Sequence, residues 1–400
     1  MKSEGKRKMN DNKKWIIITI ILGIVIVLLS GYIVYDKLKT PENNNCALGG
    51  NNNNNNNNKA TLNEELKNTT SFAIREKSTD DGIRPMLVAT DNNGKETLIY
   101  DFSQNSREMD SVEYYYDSYE AKIYLSIRSY PKGEMRLNNP KYELATIDLS
   151  KNNGTYELKT LTEINRKGYL EPWAATITKV GDYVYLGYNE IYKVNLNDYS
   201  MVKFETAGKN KSTALYNYSN NLIYNINETI YKYDSKTGNK EVIIENVNLE
   251  YVYNDELIYT KRNEETYQYK YYSYNLETKE IKTLSPEIGV GLAGFSHTVP
   301  YKNSYLSMGN EDTTFYYEDD KEFTIKCDHF DANLCEYIYV ESYITYSNYI
   351  KIVGTLNDGI NSKEEDVVRF EMIVDLDTQE VKSVKNMGDV ISFRKITYVK

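Results

Sequence analysis

The chain has 400 residues, of which 26% are charged, and its formal net charge is -10. This length could hold two or three average domains, although an all-β barrel, sandwich or propeller often uses more than ~200 residues as one unit. The acidic balance argues against a nucleic-acid partner, because neutralising phosphates requires a basic surface. Forty tyrosines, in stretches where aromatic and β-branched residues alternate, favour β-structure.

An uncharged apolar run, Trp15 to Tyr35, follows a basic N-terminal tail of residues 1–14. As an α-helix this run would be about 31 Å long, which matches the hydrocarbon core of a bilayer. The basic residues before the run outnumber Lys37 and Lys39 after it, and this bias keeps the N-terminus in the cytoplasm. We therefore expect one transmembrane signal anchor at residues 15–35, in the cell membrane, with the C-terminal region outside the cytoplasm.

Two other export signals also begin with an apolar run. A cleaved signal peptide would have a shorter apolar segment that ends in small residues of the A-x-A type, whereas Ser30 and Gly31 are followed by further apolar and aromatic residues. A lipoprotein would need a cysteine directly after the run, whereas Cys46 lies farther along, in a polar segment. The uncleaved anchor is the interpretation that the sequence favours.

Residues 36–67 form a polar segment that contains an unbroken asparagine run, residues 51–58. Such a composition cannot bury enough apolar surface to fold by itself. We expect a disordered linker with a reach of roughly 30 Å. It would hold the exported region close to the outer surface of the membrane.

The remaining region, residues 68–400, repeats one local pattern. In each copy an alternating strand ends at Asp or Asn, a polar turn follows, and a second strand begins with an aliphatic residue. The strand ends recur at Asp101, Asp148, Asn195, Asp234, Asn275 and Asp375, and a degenerate copy spans Phe315 to Lys326. Each interval of about 40 to 50 residues holds three or four short strands, as in a propeller blade. The sequence predicts an all-β fold, a seven-bladed β-propeller.

A β-sandwich also has closely spaced strands, but they would not repeat in groups of four with one turn chemistry. The pattern Tyr231-Lys-Tyr-Asp-Ser-Lys-Thr-Gly238, after Leu222-Ile-Tyr224, resembles the outer hairpin of bacterial extracytoplasmic propellers of the quinoprotein-like and YWTD-like kinds. The YWTD signature itself is absent, the nearest stretch being Leu257-Ile-Tyr-Thr260. The resemblance implies a fold and no activity. We expect residues 390–399 to add a strand that closes the ring against the first blade.

The acidic turn after Asp234 has some features of a calcium loop. Such a loop needs oxygen ligands at alternate positions, a final Glu and flanking helices. Here Lys236 occupies a ligand position and the flanking segments are predicted strands. Ordinary hairpin chemistry accounts for the turn, so no metal site is predicted.

Few residues of the exported region suggest a site. We expect His297 on the innermost strand of the sixth blade and Trp173 at the start of the third, where each could contact a ligand in the central channel or serve in packing. Cys327 and Cys335 predict a disulfide outside the cytoplasm, with free thiols or a metal cluster as the alternatives. Cys46 is then the odd cysteine, either free or linking two linkers.

No catalytic motif stands out in the sequence. Propeller sialidases carry Ser-x-Asp-x-Gly-x-x-Trp boxes, which are absent, and a glycosidase needs two facing carboxylates that sequence cannot select among many. We predict a membrane-tethered extracytoplasmic module of the cell envelope that binds or scaffolds a protein or ligand, without metal, cofactor or assigned catalytic residue. The alternative is an envelope carbohydrate-binding protein or carbohydrate-active enzyme whose partner is a cell-wall glycan.

Overall fold

The computed structural model describes residues 59–79, 82–133, 139–151, 155–164, 175–206, 214–253, 255–266, 268–284, 298–302, 304–308, 313–317, 321–330, 335, 337–357, 368–387 and 391–399. The predicted cytoplasmic tail, transmembrane anchor and most of the linker lie outside these residues. Within them, no helix has the length and apolar character needed to cross a membrane.

Twenty-eight strands of the described residues form seven antiparallel sheets of four strands, here called blades. Blade 1 contains β28 (Ile391–Tyr398), β1 (Thr69–Thr79), β2 (Gly82–Asp91) and β3 (Glu96–Asp101), and blade 2 contains β4 (Arg107–Asp117), β5 (Lys122–Pro131), β6 (Lys141–Asp148) and β7 (Lys159–Glu163). Blade 3 contains β8 (Thr176–Val180), β9 (Tyr183–Gly187), β10 (Glu190–Asn195) and β11 (Met201–Thr206), and blade 4 contains β12 (Leu215–Tyr218), β13 (Asn221–Ile226), β14 (Thr229–Asp234) and β15 (Lys240–Glu245).

The last three blades follow the same order from the inside outwards. Blade 5 contains β16 (Asn248–Tyr253), β17 (Glu256–Arg262), β18 (Tyr269–Asn275) and β19 (Ile281–Thr283), and blade 6 contains β20 (Thr298–Tyr301), β21 (Ser304–Met308), β22 (Thr314–Tyr317) and β23 (Lys321–Thr324). Blade 7 contains β24 (Tyr337–Tyr346), β25 (Tyr349–Asn357), β26 (Val368–Asp375) and β27 (Glu380–Met387).

The first-named strand of each blade is the innermost one. Strand β28 contacts β4, β4 contacts β8, β8 contacts β12, β12 contacts β16, β20 contacts β24, and β24 contacts β28. These contacts arrange the blades in a ring around a central channel. The predicted seven-bladed propeller is confirmed.

Burial decreases from the channel to the rim. In β9 every residue after Tyr183 is buried, whereas all three residues of the outermost strand β19 are exposed. The inner strands are buried on both faces because the neighbouring blades converge on the channel, and this accounts for their nearly continuous apolar and aromatic sequences. The apolar residues therefore pack between blades, in clusters such as the one formed by Tyr185, Leu215 and Tyr224 from blades 3 and 4.

The strand closest to the C-terminus closes the ring, as predicted. Strand β28 pairs antiparallel with β1, from Ser71 opposite Tyr398 to Lys77 opposite Ile391. The backbone N–H of Phe393 donates to Ser342 Oγ of blade 7 at 2.8 Å. Phe393 is buried in a cluster formed by blades 1 and 7, so it lies in the seam where the ring closes.

The repeated Asp or Asn forms the turn between the third and fourth strands of a blade. Its side-chain Oδ1 accepts the N–H two residues later, an arrangement known as an Asx turn. The acceptors are Asp91, Asp148, Asn195, Asp234, Asn275 and Asp375. The equivalent residues of blade 6 lie outside the described residues. The turn after Asp234 is thus built from hydrogen bonds to Lys236 and Thr237.

Two expectations about the start of the propeller were wrong. The first copy of the repeat is centred on Asp91, not on Asp101, because Asp101 ends the outermost strand β3 and caps the short 3₁₀ turn Phe102–Gln104. The packed region also begins before Lys67, since Asn63 and Leu66 are buried. Asn63 Nδ2 donates to the carbonyl of Leu149 in blade 2 at 3.0 Å, which fixes this end of the expected linker.

We expect Phe393→Ala to destabilise the propeller by about 3 kcal/mol or more, because it leaves a cavity in the closing seam. The matched control is Ile281→Ala, since Ile281 is 57% exposed on an outer strand and should change stability by no more than about 0.5 kcal/mol. Urea unfolding followed by circular dichroism measures both. Equal effects of the two substitutions would show that the seam does not depend on Phe393.

Candidate functional site

The residues singled out in the sequence do not come together as one described site. Trp173 and His297 lie outside the described residues. Cys327 and Cys335 form a disulfide with their Cα atoms 5.5 Å apart, within the range that such a bond requires. The disulfide lies in the connection between blades 6 and 7.

His329 has a packing role beside this disulfide. Its ring stacks on Phe323 with the centroids 5.7 Å apart, and its Nδ1 accepts the N–H of Lys326 at 3.1 Å. Across the described residues, no group of three or more His, Cys, Asp or Glu side chains could hold a metal ion. The geometry of His329 is that of a residue holding a short turn.

Tyrosines from different blades meet around the inner strands, and Tyr251 and Tyr305 pack in the cluster between blades 5 and 6. The ring centroids of Tyr251 and Tyr305 are 6.4 Å apart, and Tyr253 lies 6.5 Å from both Tyr305 and Tyr398. Tyr253 belongs to blade 5 and Tyr398 to blade 1, three blades farther around the ring, so their contact crosses the channel. Aromatic rings therefore narrow the channel at this level.

Hydrogen bonds fix several of these phenols. Tyr398 OH accepts the backbone N–H of Thr345 at 3.2 Å and lies 3.1 Å from its Oγ1. Tyr305 OH donates to Glu256 Oε2 at 2.7 Å, and Tyr216 OH donates to the backbone carbonyl of Glu250. The rings thus have defined orientations, which is what a binding site requires of its walls.

The hydroxyl group of Tyr251, like that of its neighbour Tyr343, is buried. Burial raises the pKa of Tyr251 well above its usual range, and the nearby phenols of Tyr305, Tyr398, Tyr343 and Tyr216 raise it further. Among the described residues its buried hydroxyl has no hydrogen-bond partner.

Two carboxylates approach the channel from different blades. Burial raises the pKa of Tyr216, and the neighbouring carboxylates of Glu250 and Glu113 raise it further. Glu113 belongs to blade 2 and Tyr216 to blade 4, which are not adjacent in the ring. Burial also raises the pKa of Glu250 to about 7, while Thr260 Oγ1, which donates to Glu250 Oε1 at 3.0 Å, lowers it.

A β-bulge places an acidic residue on the inner strand of three blades. The register of β4, β16 and β24 each contains one extra residue, at Asp110, Glu250 and Glu341. A bulge changes the direction of a side chain relative to the regular alternation between the two faces of a strand. Burial raises the pKa of Glu341, and the guanidinium of Arg369 opposes this shift. The side chains of Glu250 and Glu341 are therefore directed by backbone geometry, which sequence reasoning missed.

Blades 7, 1 and 2 carry longer strands than the rest of the ring. Strands β24, β25, β1, β2, β4 and β5 have between 9 and 11 residues, whereas the two inner strands of blades 3 to 6 have between 4 and 7. The extra length of about four residues corresponds to about 13 Å. We call the projecting part of these three adjacent blades the raised wall.

The raised wall lies at the end of the channel opposite the first hairpins. In blades 2 and 7 the hairpin pairs are Asp117 with Lys122 and Tyr346 with Tyr349, so the additional residues project at the other end of the strands. At the free end of β24, Tyr337 is 50% exposed and Tyr339 is 43% exposed. Residues two apart in a strand share one face, so these two rings form an exposed aromatic pair beside the channel.

No protein-family model matches the sequence, and no curated protein matches it. Several solved structures are similar to the chain, among them TolB from Acinetobacter baumannii, with 12% identity, a TM-score of 0.42 and coverage of 84% of this chain and 68% of that one. A quinoprotein alcohol dehydrogenase-like protein from Bacteroides thetaiotaomicron has 12% identity, a TM-score of 0.40 and coverage of 83% and 78%. The β-propeller domain of the Trilobed protease from Pyrococcus furiosus has 12% identity, a TM-score of 0.42 and coverage of 79% and 93%.

We expect Glu250→Gln to stabilise the protein at pH 8 by about 3 kcal/mol and by less than about 1 kcal/mol at pH 5. The pKa of Glu250 is about 7 in the folded state and 4.5 as its ordinary value. Ionisation therefore costs the folded state increasing stability as the pH rises from 4.5 to 7, and the amide removes this cost. Urea unfolding at the two pH values measures the difference.

The matched control for this experiment is Glu241→Gln, because Glu241 is exposed on the outer strand β15. This control should show no such pH-dependent gain. A stabilisation by Glu250→Gln that is equal at pH 5 and pH 8 would contradict a raised pKa in the channel.

Proposed function

We propose that this protein is a membrane-anchored, extracytoplasmic binding module of the cell envelope, and that an envelope protein docks on the raised wall. The observation that carries this proposal is the exposed pair Tyr337 and Tyr339 on the innermost strand of the wall. Tyrosine is enriched at the centres of protein interfaces, because its large ring excludes water while its hydroxyl remains able to donate a hydrogen bond.

The size of the raised wall supports a protein rather than a small ligand. Three blades about 10 Å apart and a height of about 13 Å give roughly 400 Å² on the inner side alone. One partner of a standard protein interface contributes about 800 Å². The channel mouth below the wall can supply the rest, so the surface is of the right order for a specific complex.

Other exposed apolar residues support the choice of this surface. Leu98, Val202, Val242 and Ile281 are exposed on outer strands of separate blades. Apolar side chains scattered singly over a surface are common and need no partner. Tyr337 and Tyr339 instead share one strand face beside the channel mouth.

A second candidate function is supported by the carboxylates of the channel. A propeller glycosidase needs a general acid with a raised pKa and a second carboxylate. Glu250 has a pKa of about 7, and the carboxylates of Glu250 and Glu113 both raise the pKa of Tyr216. A carbohydrate-active enzyme would lose its release of reducing ends from cell-wall glycan in Glu250→Gln, whereas a binding module would release none in either form.

Photocrosslinking in the native cells tests the docking surface. We expect a photoreactive residue at Tyr339 of the full-length protein to capture one envelope protein, which mass spectrometry identifies. The matched control carries the same residue at Val202, which is 58% exposed on an outer strand of blade 3. Capture of the same protein from both positions, or of none from Tyr339, would contradict docking on the raised wall.

Membrane anchoring is tested separately. We expect the full-length protein to stay in the membrane fraction after alkaline carbonate extraction, because an apolar helix at residues 15–35 would remain inserted. Protease added to intact cells without their wall should digest the propeller and leave the basic tail inside. Release of the protein by carbonate, or protection of the propeller from protease, would contradict the proposed topology.

A further inference from the structure

Three tyrosine rings form a partial cage at the hairpin end of the channel, which is the end opposite the raised wall. Tyr253 directly precedes the first hairpin of blade 5, where it pairs with Glu256. The rings of Tyr305 and Tyr398 stand at 77° and 78° to that of Tyr253, each with its centroid 6.5 Å away. Tyr253 is therefore flanked by two aromatic rings, one from blade 6 and one from blade 1. We call these three residues the tyrosine cage.

The tyrosine cage is open to the channel. Each of its three side chains is partly exposed, although Tyr253 and Tyr398 lie on innermost strands. The face of an innermost strand that neighbouring blades do not cover borders the channel. Part of each of these residues is therefore accessible to solvent.

A carboxylate lies directly beside the cage. Glu256 is the cross-strand partner of Tyr253, and its Oε2 accepts the hydroxyl of Tyr305 at 2.7 Å. Nearby, Tyr218 OH donates to Asp255 Oδ1 at 3.1 Å. Aromatic faces carry negative potential, and adjacent carboxylates add to it. The aromatic faces and the carboxylates together therefore favour a cation with apolar substituents.

The same combination of groups holds ammonium groups elsewhere in this chain. Lys240 Nζ lies 4.0 Å from the ring centroid of Tyr231 and 2.7 Å from Glu205 Oε2. Lys179 Nζ lies 5.7 Å from the ring centroid of Tyr124 and 2.8 Å from Glu120 Oε1. In both cases one ammonium group contacts the face of a tyrosine ring and forms an ion pair with a carboxylate. The tyrosine cage with Glu256 repeats this chemistry at a surface that solutes can reach.

We propose that the tyrosine cage and Glu256 bind the ammonium group of a small organic cation. The rings contact the substituents on nitrogen, and Glu256 balances the charge from the side of the hairpin. This site is separate from the raised wall, so a ligand and a docked protein could occupy the two ends of the channel together. Cation binding at this end of the channel does not depend on which protein docks on the raised wall.

Choline and its neutral isostere 3,3-dimethylbutan-1-ol test the proposal. The two have the same shape and differ in charge. Isothermal titration of the full-length protein in a non-ionic detergent should show choline binding at least about ten-fold more tightly than the alcohol, because only the cation gains from the rings and the carboxylate. Equal affinities would show an uncharged apolar pocket, and no binding of choline at millimolar concentration would show no site; either result overturns the proposal.

Two substitutions test whether choline binds at the tyrosine cage. Glu256→Gln keeps an acceptor for the hydroxyl of Tyr305 and removes the charge, so choline affinity should fall about five-fold. Tyr253→Leu removes one aromatic face and should lower it about ten-fold. The matched controls are Glu241→Gln and Tyr199→Leu, which change exposed residues of the outer turns and strands and should leave the affinity unchanged. Choline affinity unaffected by the first pair would place the ligand elsewhere and overturn the assignment.

Each variant is checked for folding by circular dichroism and by its urea midpoint. If Tyr253→Leu fails to fold, Glu256→Gln still decides the question, because it preserves the hydrogen bond and the packing. Loss of choline binding while crosslinking at Tyr339 persists would separate this site from the proposed docking surface.

Discussion

The ring exists because a four-stranded sheet with two apolar faces needs a neighbour on each side. Each blade buries its inner strands against the next blade, and the seventh interface forms only when β28 pairs with β1. That pairing removes the last free inner edge and brings Phe393 against blade 7. The aromatic contact across the channel depends on this closure, since Tyr398, which contacts Tyr253, belongs to the closing strand.

The repeat could be predicted from the sequence because its signals are local. An Asx turn requires an acceptor at one position, so Asp234 and Asn275 mark the same hairpin in two blades. The same pattern gave a wrong prediction at Asp101, because this side chain caps a 3₁₀ turn and does not form a hairpin. An Asp or Asn that accepts a local N–H therefore predicts a turn in each blade. Which two strands that turn connects depends on long-range strand pairing.

The channel could not be predicted in the same way. Tyr253, Tyr305 and Tyr398 belong to three blades and meet only in the closed ring, and forty tyrosines in the sequence give no reason to prefer them. The position of Glu250 depends on a bulge, which is set by the register of β16 against β17. The residues that did stand out by rarity, Trp173 and His297, lie outside the described residues, so their predicted contacts with a channel ligand stay predictions.

The position of the closing strand has a consequence for biogenesis. Synthesis runs from the N-terminus, so β28 emerges after the other described strands, and one edge of β1 stays unpaired until β28 pairs with it. Arg75, Glu76 and Lys77 place alternating charges at the end of that waiting edge, and charged side chains discourage pairing with a foreign strand. These charges therefore disfavour strand exchange between molecules at this edge until β28 pairs with β1.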